Sequence, residues 1–431
     1  MQFLSPCSEP ALPLPYRSLQ VGQWVKLICG ASYQDIAHIR RLVMVYALAG
    51  VDCVDVAADV AVVGAARQGL ADAVTIARCL DAAFNDLSSG EDPAIAPPQH
   101  FLGSDLPWLM VSLNDSEDPH FRKAFFDAAH CPVDCRRPCE TICPTDAIRF
   151  ETRGWSGVIP DLCYGCGRCL TVCPVQNIEA YSYQARPENF SDEALGTIDA
   201  VEIHTQAGRQ EAFSALWQRL VPWRKQLKLV SISCPDDPNI KAYLQDLHRI
   251  MSPLEIPLIW QTDGRPMSGD LGRGTTHATI RLAQKVMAAQ LPGYVQLAGG
   301  TNHYTASKLR GLGLVARDQN EPRPSVVSTP PETPRPQTVA GIAYGSYART
   351  LVMPLLDHLE PAVTQMLATM HQDVPDRSSS SQAPSTQALF DKTHSFWPSS
   401  KVETFSIIDS TSALKKAIAL ARQLVGSLKN G

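Results

Sequence analysis

The stretch that decides the fold is WVKLICGASYQDIAHIRRLVMVYALAGVDCVDVAAD, residues 24–59. WVKLICG and VDCVDVAA are short runs rich in aliphatic residues, and each predicts a buried strand. Between them, apolar residues recur at helical spacing from Ile36 to Ala47, and Gly50 follows as a helix stop signal. A strand, a helix and a second strand in this order predict a βαβ unit with parallel strands.

The same alternation continues along the chain. Further strand runs are PWLMVSLND, AVEIHT, LKLVSIS, PLIWQTD, YVQLAGG and VAGIAYG, with helical patterns between most of them. Eight such units over roughly 270 residues, outside a cysteine-rich block, suit the ~250 residues of a (β/α)₈ barrel. We therefore predict an α/β protein with a TIM-like (β/α)₈ barrel. The alternative is an open doubly wound sheet, because periodicity does not show whether a sheet closes.

Two cysteine runs interrupt this alternation. HCPVDCRRPCETICP holds Cys131, Cys135, Cys139 and Cys143, and CYGCGRCLTVCP holds Cys163, Cys166, Cys169 and Cys173. Two residues separate the first three cysteines of the second run, which is the spacing of an iron–sulfur loop. A structural zinc site, the alternative, would use paired Cys-x₂-Cys knuckles. In the first run three residues separate each cysteine from the next, so its loop is longer.

Because both runs end in Cys-Pro and continue similarly, residues 131–180 resemble a bacterial two-[4Fe–4S] ferredoxin module. The resemblance implies one cluster held by Cys163, Cys166, Cys169 and Cys143. It implies a second cluster held by Cys131, Cys135, Cys139 and Cys173. We expect [4Fe–4S] at the regular motif and either [4Fe–4S] or [3Fe–4S] at the stretched motif, and we expect the stretched site to be the more sensitive to oxidants.

The block is predicted to be an α+β insertion after the third barrel strand. The predicted segments are a disordered lead at 1–20, the first part of the barrel at 21–119, the iron–sulfur module at 120–185, the second part of the barrel at 186–371 with a Pro-rich loop at 317–337, a Ser/Pro-rich linker at 372–400 and a terminal helix at 401–431.

Ligands of such barrels bind at the carboxyl ends of the strands. The loops LAGGTNHYT and AYGSYAR bring glycines and hydroxyls to these strand ends, and such residues suit a phosphate site. With an arginine of the loop after PLIWQTD, the candidate residues are Gly299, Gly300, Thr301, Asn302, Gly345, Ser346 and Arg273. Lys26, Asp55 and His204 are candidate polar residues of the barrel mouth. The alternatives are that the glycines only turn the chain, that Lys26 pairs with Asp55, and that His204 is structural. The sequence assigns no catalytic set.

Composition narrows the class of protein. The net charge of −5 and the pI of about 6.1 argue against a nucleic-acid partner. We predict no membrane span, since no run of 18 apolar residues occurs, and a cytoplasmic location, since no secretory signal is evident. In a reducing compartment, the 13 cysteines are better explained as metal ligands and thiols than as disulfides.

Residues 25–59 and the stretch DGRPMSGDLGRGTTHATIRLAQKVMAAQLPGYVQLAGGTNHYT are similar to the light-dependent-period family of cyanobacteria, and the resemblance spans about residues 20–350. It implies an iron–sulfur redox sensor that reports photosynthetic electron transport to circadian clock input. Its implied partners are clock-associated proteins, input kinases and redox carriers of photosynthesis. The alternative is a barrel oxidoreductase that uses a flavin or a phosphate-bearing ligand and receives electrons from its clusters.

Overall fold

The computed structural model of this chain describes residues 12–86, 106–150, 156–190, 196–264, 274–315, 338–357, 359 and 407–429. Its centre is a closed barrel of eight parallel strands, each hydrogen-bonded to two neighbours. The first strand pairs with the last in parallel register, from Trp24 opposite Gly341 to Leu27 opposite Tyr344. The predicted TIM-like barrel is therefore confirmed, and the alternative of an open sheet is wrong.

The N-terminal part contributes three barrel strands. Its elements are α1 (Leu14–Val21), β1 (Trp24–Gly30), α2 (Ile36–Leu48), β2 (Cys53–Ala57), α3 (Val60–Asp86) and β3 (Trp108–Asn114). The carboxylate of Asp35 accepts hydrogen bonds from the amides of Ala37 and His38, so it caps α2. The expectation of a disordered lead is wrong for the residues of α1, because Leu19 is fully buried against Trp24 at the amino end of the barrel.

An inserted module follows β3. It consists of β4 (Arg122–Phe125), α4 (Pro138–Ile142), β5 (Ile148–Phe150), β6 (Ser156–Val158), α5 (Arg168–Val172) and β7 (Glu179–Ser182). β4 pairs with β7 and β5 pairs with β6, both antiparallel. A small apolar core between these two strand pairs includes Phe126, Ala147, Ile148 and Ile178. The module thus has its own core, while β3 continues to pair with the next barrel strand.

The second part of the chain completes the barrel. Its elements are β8 (Ala200–His204), α6 (Gln210–Arg219), β9 (Leu229–Pro235), α7 (Ile240–Met251), β10 (Leu258–Asp263), α8 (Thr276–Met287), β11 (Tyr294–Ala298), α9 (Thr305–Gly311), β12 (Gly341–Tyr344), α10 (Ser346–Leu356) and α11 (Ile407–Lys429). β3 leads to its neighbour β8 through the inserted module, and each of the other strands before β12 leads through a helix to its parallel neighbour, as in a (β/α)₈ fold.

The terminal helix α11 packs on the barrel. Ala417, Ala421 and Leu424 are buried in the main apolar core, and the helix contacts α2 and α10. The ammonium of Lys429 lies 2.8 Å from the buried carboxylate of Asp52. The helix therefore belongs to the outer ring of the fold. The Pro-rich loop 317–337 and the linker 372–400 lie outside the described residues.

One segment of α3, Val60–Arg78, is long and apolar enough to cross a membrane by length and composition alone. Half of that segment is buried inside the fold, where α3 packs against α2. Buried core helices of soluble proteins pass the same test, so the feature is weak evidence for a membrane span.

Candidate functional site

The cysteine module is built from two halves that repeat thirty residues apart in the chain. α4 begins after Arg137 and α5 after Gly167, and both of these residues have positive φ, 53° and 73°. Cys139 and Cys169 occupy the second position of each helix and are buried. This internal symmetry is the duplication that the two sequence runs predicted.

The two halves also end alike. Cys143 caps the carboxyl end of α4 and Cys173 caps that of α5. The amide four residues further on donates a hydrogen bond to each cap sulfur, from Ala147 at 3.2 Å and from Asn177 at 3.3 Å. Amide donors of this kind stabilise a sulfur that carries negative charge.

Four sulfurs share an inner site. Cys143, Cys163, Cys166 and Cys169 line one open cavity of about 570 Å³. Burial and the neighbouring thiols raise the pKa of Cys169 to about 12, and the amide of Ala124 donates to the Cys163 sulfur at 3.3 Å. Four converging thiols with amide donors fit the ligand set of an iron–sulfur cluster, which supplies one-electron redox chemistry when it is bound.

The remaining cysteines form an outer site. Burial and the charges of Cys173 and Cys131 raise the pKa of Cys139, so these three sulfurs lie near one another. The amide side chain of Asn177 lies 3.5 Å from the sulfur of Cys131. Cys135 lies on the longer loop, where its sulfur accepts a hydrogen bond from the amide of Arg137. This donor set also fits a cluster, on a more exposed support.

The two cysteine loops differ sharply in their surroundings. In the stretched loop from 131 to 137, Val133 is fully exposed. In the regular loop, Gly165 is buried and has φ +71°, and a Cβ there would lie 2.2 Å from the carbonyl oxygen of Arg122. The regular loop is therefore seated on the strand that joins the module to the barrel, while the stretched loop faces solvent.

The regular loop also forms part of the barrel mouth. A cavity of about 820 Å³ at the carboxyl ends of the strands is lined by Tyr164 and Cys166 from the module and by Glu202 and His204 from the barrel. Arg349 lies over the ring of Tyr164, 4.6 Å from its centroid. The same guanidinium donates to the carbonyl oxygens of Ile28 and Cys29, each at 3.0 Å. A cysteine of the inner site and the barrel interior thus face one space.

The predicted mouth residues Lys26, Asp55 and His204 meet through a residue that the sequence analysis did not select, Glu202. The ammonium of Lys26 lies 3.3 Å from the Asp55 carboxylate and closely contacts that of Glu202. His204 Nε2 lies 3.2 Å from Glu202 Oε1. The alternative that Lys26 pairs with Asp55 is confirmed.

The pKa values of the ionisable side chains in this group shift in different directions. Burial raises the pKa of Asp55 to about 6. Burial also acts on Glu202, but Lys26 and His204 hold its pKa below the usual range. For Lys26 the two carboxylates outweigh burial and raise the pKa. The arrangement keeps Glu202 ionised and leaves Asp55 able to take up a proton.

His120 also lines the mouth and was not among the predicted residues. It lies in a 3-10 turn, Pro119–Phe121, where the Asp118 side chain accepts from its amide. His120 Nε2 lies 3.2 Å from Asp263 Oδ2, at the end of β10. The signal for Glu202 was readable, because a charged residue two positions before His204 in a buried strand points to the same interior. The position of His120 depends on the turn, which the sequence pattern did not reveal.

The glycine loops have a structural role in this cavity. Gly300 has φ +95°, and a Cβ there would lie 2.6 Å from the carbonyl oxygen of Thr275. Thr301 donates to the carbonyl oxygen of Ala343 at 2.6 Å, and Asn302 donates to Thr275 at 3.0 Å. Of the residues predicted for a phosphate site, those that line the mouth are Gly299, Gly300, Thr301, Gly345 and Ser346. The phosphate site stays a prediction, and Arg273 lies outside the described residues.

Taken together, a closed α/β barrel with an inserted pair of cysteine loops defines an iron–sulfur barrel protein. Two family models match the chain: the LdpA Fe–S cluster-binding domain over residues 131–184 and the Light dependent period A C-terminal domain over residues 194–427. The chain is 49% identical over 352 residues to Light dependent period A from Synechococcus elongatus, covering 81% of this chain and 86% of that protein. No solved structure matches it. The chain therefore belongs to the Light dependent period A (LdpA) family.

Proposed function

We propose that this protein is a cytoplasmic redox sensor whose clusters report photosynthetic electron transport to circadian clock input. The name of its relative, Light dependent period A, supports a light-linked timing role. We further propose that it acts through clock-associated proteins and input kinases, and that redox carriers of photosynthesis exchange electrons with it. Membership of a family with an iron–sulfur domain supports the redox part of this proposal.

The observation that carries the proposal is the unequal placement of the two cysteine sites. The outer loop is open to solvent, so a redox carrier can approach it. The inner loop is seated on the barrel, where Tyr164 packs edge-on against Tyr33 and under Arg349. Arg349 and Cys166 both interact electrostatically with Tyr164, so negative charge added at the inner cysteines acts on the contact between this ring and Arg349. We propose that a change of oxidation state alters this contact at the barrel mouth and that partners respond to the change.

We propose that Cys163, Cys166, Cys169 and Cys143 hold a [4Fe–4S] cluster. Cys131, Cys135, Cys139 and Cys173 would hold the outer one, as [4Fe–4S] or [3Fe–4S]. Because the outer loop is longer and more exposed, its cluster should lose iron first under oxidation.

The test compares C135S with C166S, and C234A serves as a buried-cysteine control outside the module. Protein purified without oxygen is mildly oxidised and followed by paramagnetic resonance. We expect the wild type and C234A to gain a [3Fe–4S] signal, and C135S to change that signal more than C166S does. Binding to a clock-associated protein should then differ between reduced and oxidised wild type. Equal oxidation of both sites, or binding that ignores oxidation state, would contradict the sensor.

A second candidate function is a barrel oxidoreductase. The observation that favours it is that Cys166 shares the mouth cavity with Glu202, His204 and Asp263. Acid release of one flavin per chain from pure protein would support this function over the sensor. Protein that carries its iron and sulfide but releases no flavin would leave the sensor as the better account.

A further inference from the structure

Two histidines and a carboxylate converge at the barrel mouth, and none of the eight module cysteines is among them. One ligand atom from each of Asp118, His120 and His204 lies within 4.8 Å of the others. Nδ1 of His120 is 2.9 Å from Oδ1 of Asp118, and Nδ1 of His204 is 3.8 Å from the same oxygen. Both imidazoles therefore direct the same ring nitrogen to one carboxylate oxygen.

The other nitrogen of each imidazole contacts a different carboxylate. Nε2 of His120 lies 3.2 Å from Asp263, and Nε2 of His204 lies 3.2 Å from Glu202. Metal-binding histidines usually donate their second ring N–H to a carboxylate, which leaves the first nitrogen free as a ligand. Asp263 and Glu202 are placed to do this for the two rings.

The spacing of the three atoms suits a metal ion. Ligand atoms about 2.1 Å from a metal lie about 3.0 Å apart at a right angle and about 3.4 Å apart at a tetrahedral angle. The observed 2.9 Å and 3.8 Å lie on either side of these values, and all three ligand atoms lie within 4.8 Å of one another, so rotations of the two imidazoles would bring the atoms into place.

The charge and hydrogen bonding around these atoms also favour a cation. Asp55, Asp118, Glu202 and Asp263 are all buried at this end of the barrel. Among the residues that the structure describes, Lys26 is the only lysine or arginine paired with any of them. Oδ1 of Asp263 is buried without a hydrogen-bond partner, which is costly unless another group satisfies it.

We propose that Asp118, His120 and His204 bind one divalent transition-metal ion, as a two-histidine, one-carboxylate site. Such a set suits zinc, ferrous and manganous ions and leaves coordination positions open. The open positions would face a cavity of about 430 Å³ that all three ligands line together with Asp263. This site is separate from the cysteine clusters, and it would give the barrel mouth a Lewis acid of its own.

The experiment uses full-length protein with its clusters assembled and kept without oxygen. Mn²⁺ is the probe, because it prefers nitrogen and oxygen ligands to thiolates, and paramagnetic resonance reports the free ion. We expect one Mn²⁺ bound per chain and its displacement by Zn²⁺, which binds such sites more tightly. D118N and H204Q should each weaken binding at least tenfold, and D263N should weaken it about 10- to 100-fold.

H38Q is the matched control. His38 also lies between two carboxylates, Asp35 at 2.9 Å and Asp357 at 2.7 Å, but among the residues that the structure describes it joins no group of three metal-binding side chains. This variant should bind Mn²⁺ like the wild type. Circular dichroism and cluster absorbance check that each variant is folded. Because His204 packs against Phe121, D118N provides an independent test should H204Q fail to fold. Wild type that binds no Mn²⁺ or Zn²⁺, or binding that D118N and D263N leave unchanged, would overturn the proposal.

Discussion

Lys26 shows how a buried charge can be tolerated inside a barrel. Its side chain is fully buried, and it lies between Asp55 and Glu202. Glu202 also accepts hydrogen bonds from Ser231 at 2.9 Å and from Gln261 at 2.6 Å. Buried polar residues lower the stability of the fold unless each has a hydrogen-bond or ion-pair partner. Loss of one member of this network therefore leaves the others unsatisfied.

Replacing Lys26 by methionine should therefore be severe. We expect K26M to lower the free energy of unfolding by about 3–5 kcal/mol, because it leaves two buried carboxylates without their cation. K285M removes a lysine paired with the exposed Asp236 and should cost about 1 kcal/mol or less. Denaturant unfolding without oxygen measures both. A loss below about 1 kcal/mol for K26M would contradict this account.

The deficit of K26M should also depend on pH. The folded pKa of Asp55, raised to about 6, exceeds its unfolded value of about 3.9, so the folded state binds more protons between these values. This group's contribution to stability falls as pH rises through that window. Without Lys26 the window extends upward, so the deficit should be larger at about pH 8 than at about pH 5.

The mouth residues also differ in whether the sequence could predict them. Sequence reasoning selected Lys26, Asp55 and His204 because an ionisable side chain in an apolar strand needs a polar partner or a binding site inside the barrel. His120 could not, because it reaches the mouth from a turn in the module and meets Asp263 across the barrel. Contacts of that range depend on how the module sits, which periodicity does not describe.

At the scale of elements, the regular cysteine loop depends on a close backbone approach. Gly165 combines φ +71° with a Cβ position 2.2 Å from the Arg122 carbonyl oxygen. Gly208 also has a positive φ, +88°, but nothing lies within 4 Å of its Cβ position. The two glycines therefore separate the effect of crowding from that of backbone conformation.

We expect G165A to displace the loop and to lose the iron and sulfide of the inner site. G208A carries the backbone strain alone and should keep its clusters. Iron and sulfide per chain, measured after purification without oxygen, compare the two variants. Full cluster content in G165A, or equal loss in both, would contradict the crowding argument.

The barrel elements were largely readable from the sequence because alternating strands and helices have strong periodic signals. The module elements were not, since β5, β6, α4 and α5 span only three to five residues each. The helix α1 was missed because Pro13 and Pro15 gave its sequence the look of a disordered lead, although Pro15 is favourable in the first turn of a helix.

At the scale of the whole molecule, the two family models do not correspond to two independent folds. The C-terminal model covers residues 194–427, which hold only the last five barrel strands. β8 pairs with β3, and β12 pairs with β1, although β1 and β3 precede the residues that either model covers. Trp24 and Trp108, from the N-terminal part, fill the same end of the barrel as Leu229 and Ile259.

A fragment of residues 194–431 should therefore not fold alone. Removing β1 and β3 leaves the edges of β8 and β12 unpaired, and exposed edges of this kind promote aggregation. We expect the fragment to aggregate or to unfold without a cooperative transition, whereas the full chain unfolds cooperatively. Co-expression with residues 1–190 should restore soluble protein, because it supplies both missing neighbours. Size-exclusion chromatography and thermal unfolding measure this, and a monomeric fragment with a sharp transition would show that the last five strands are stable without the first three.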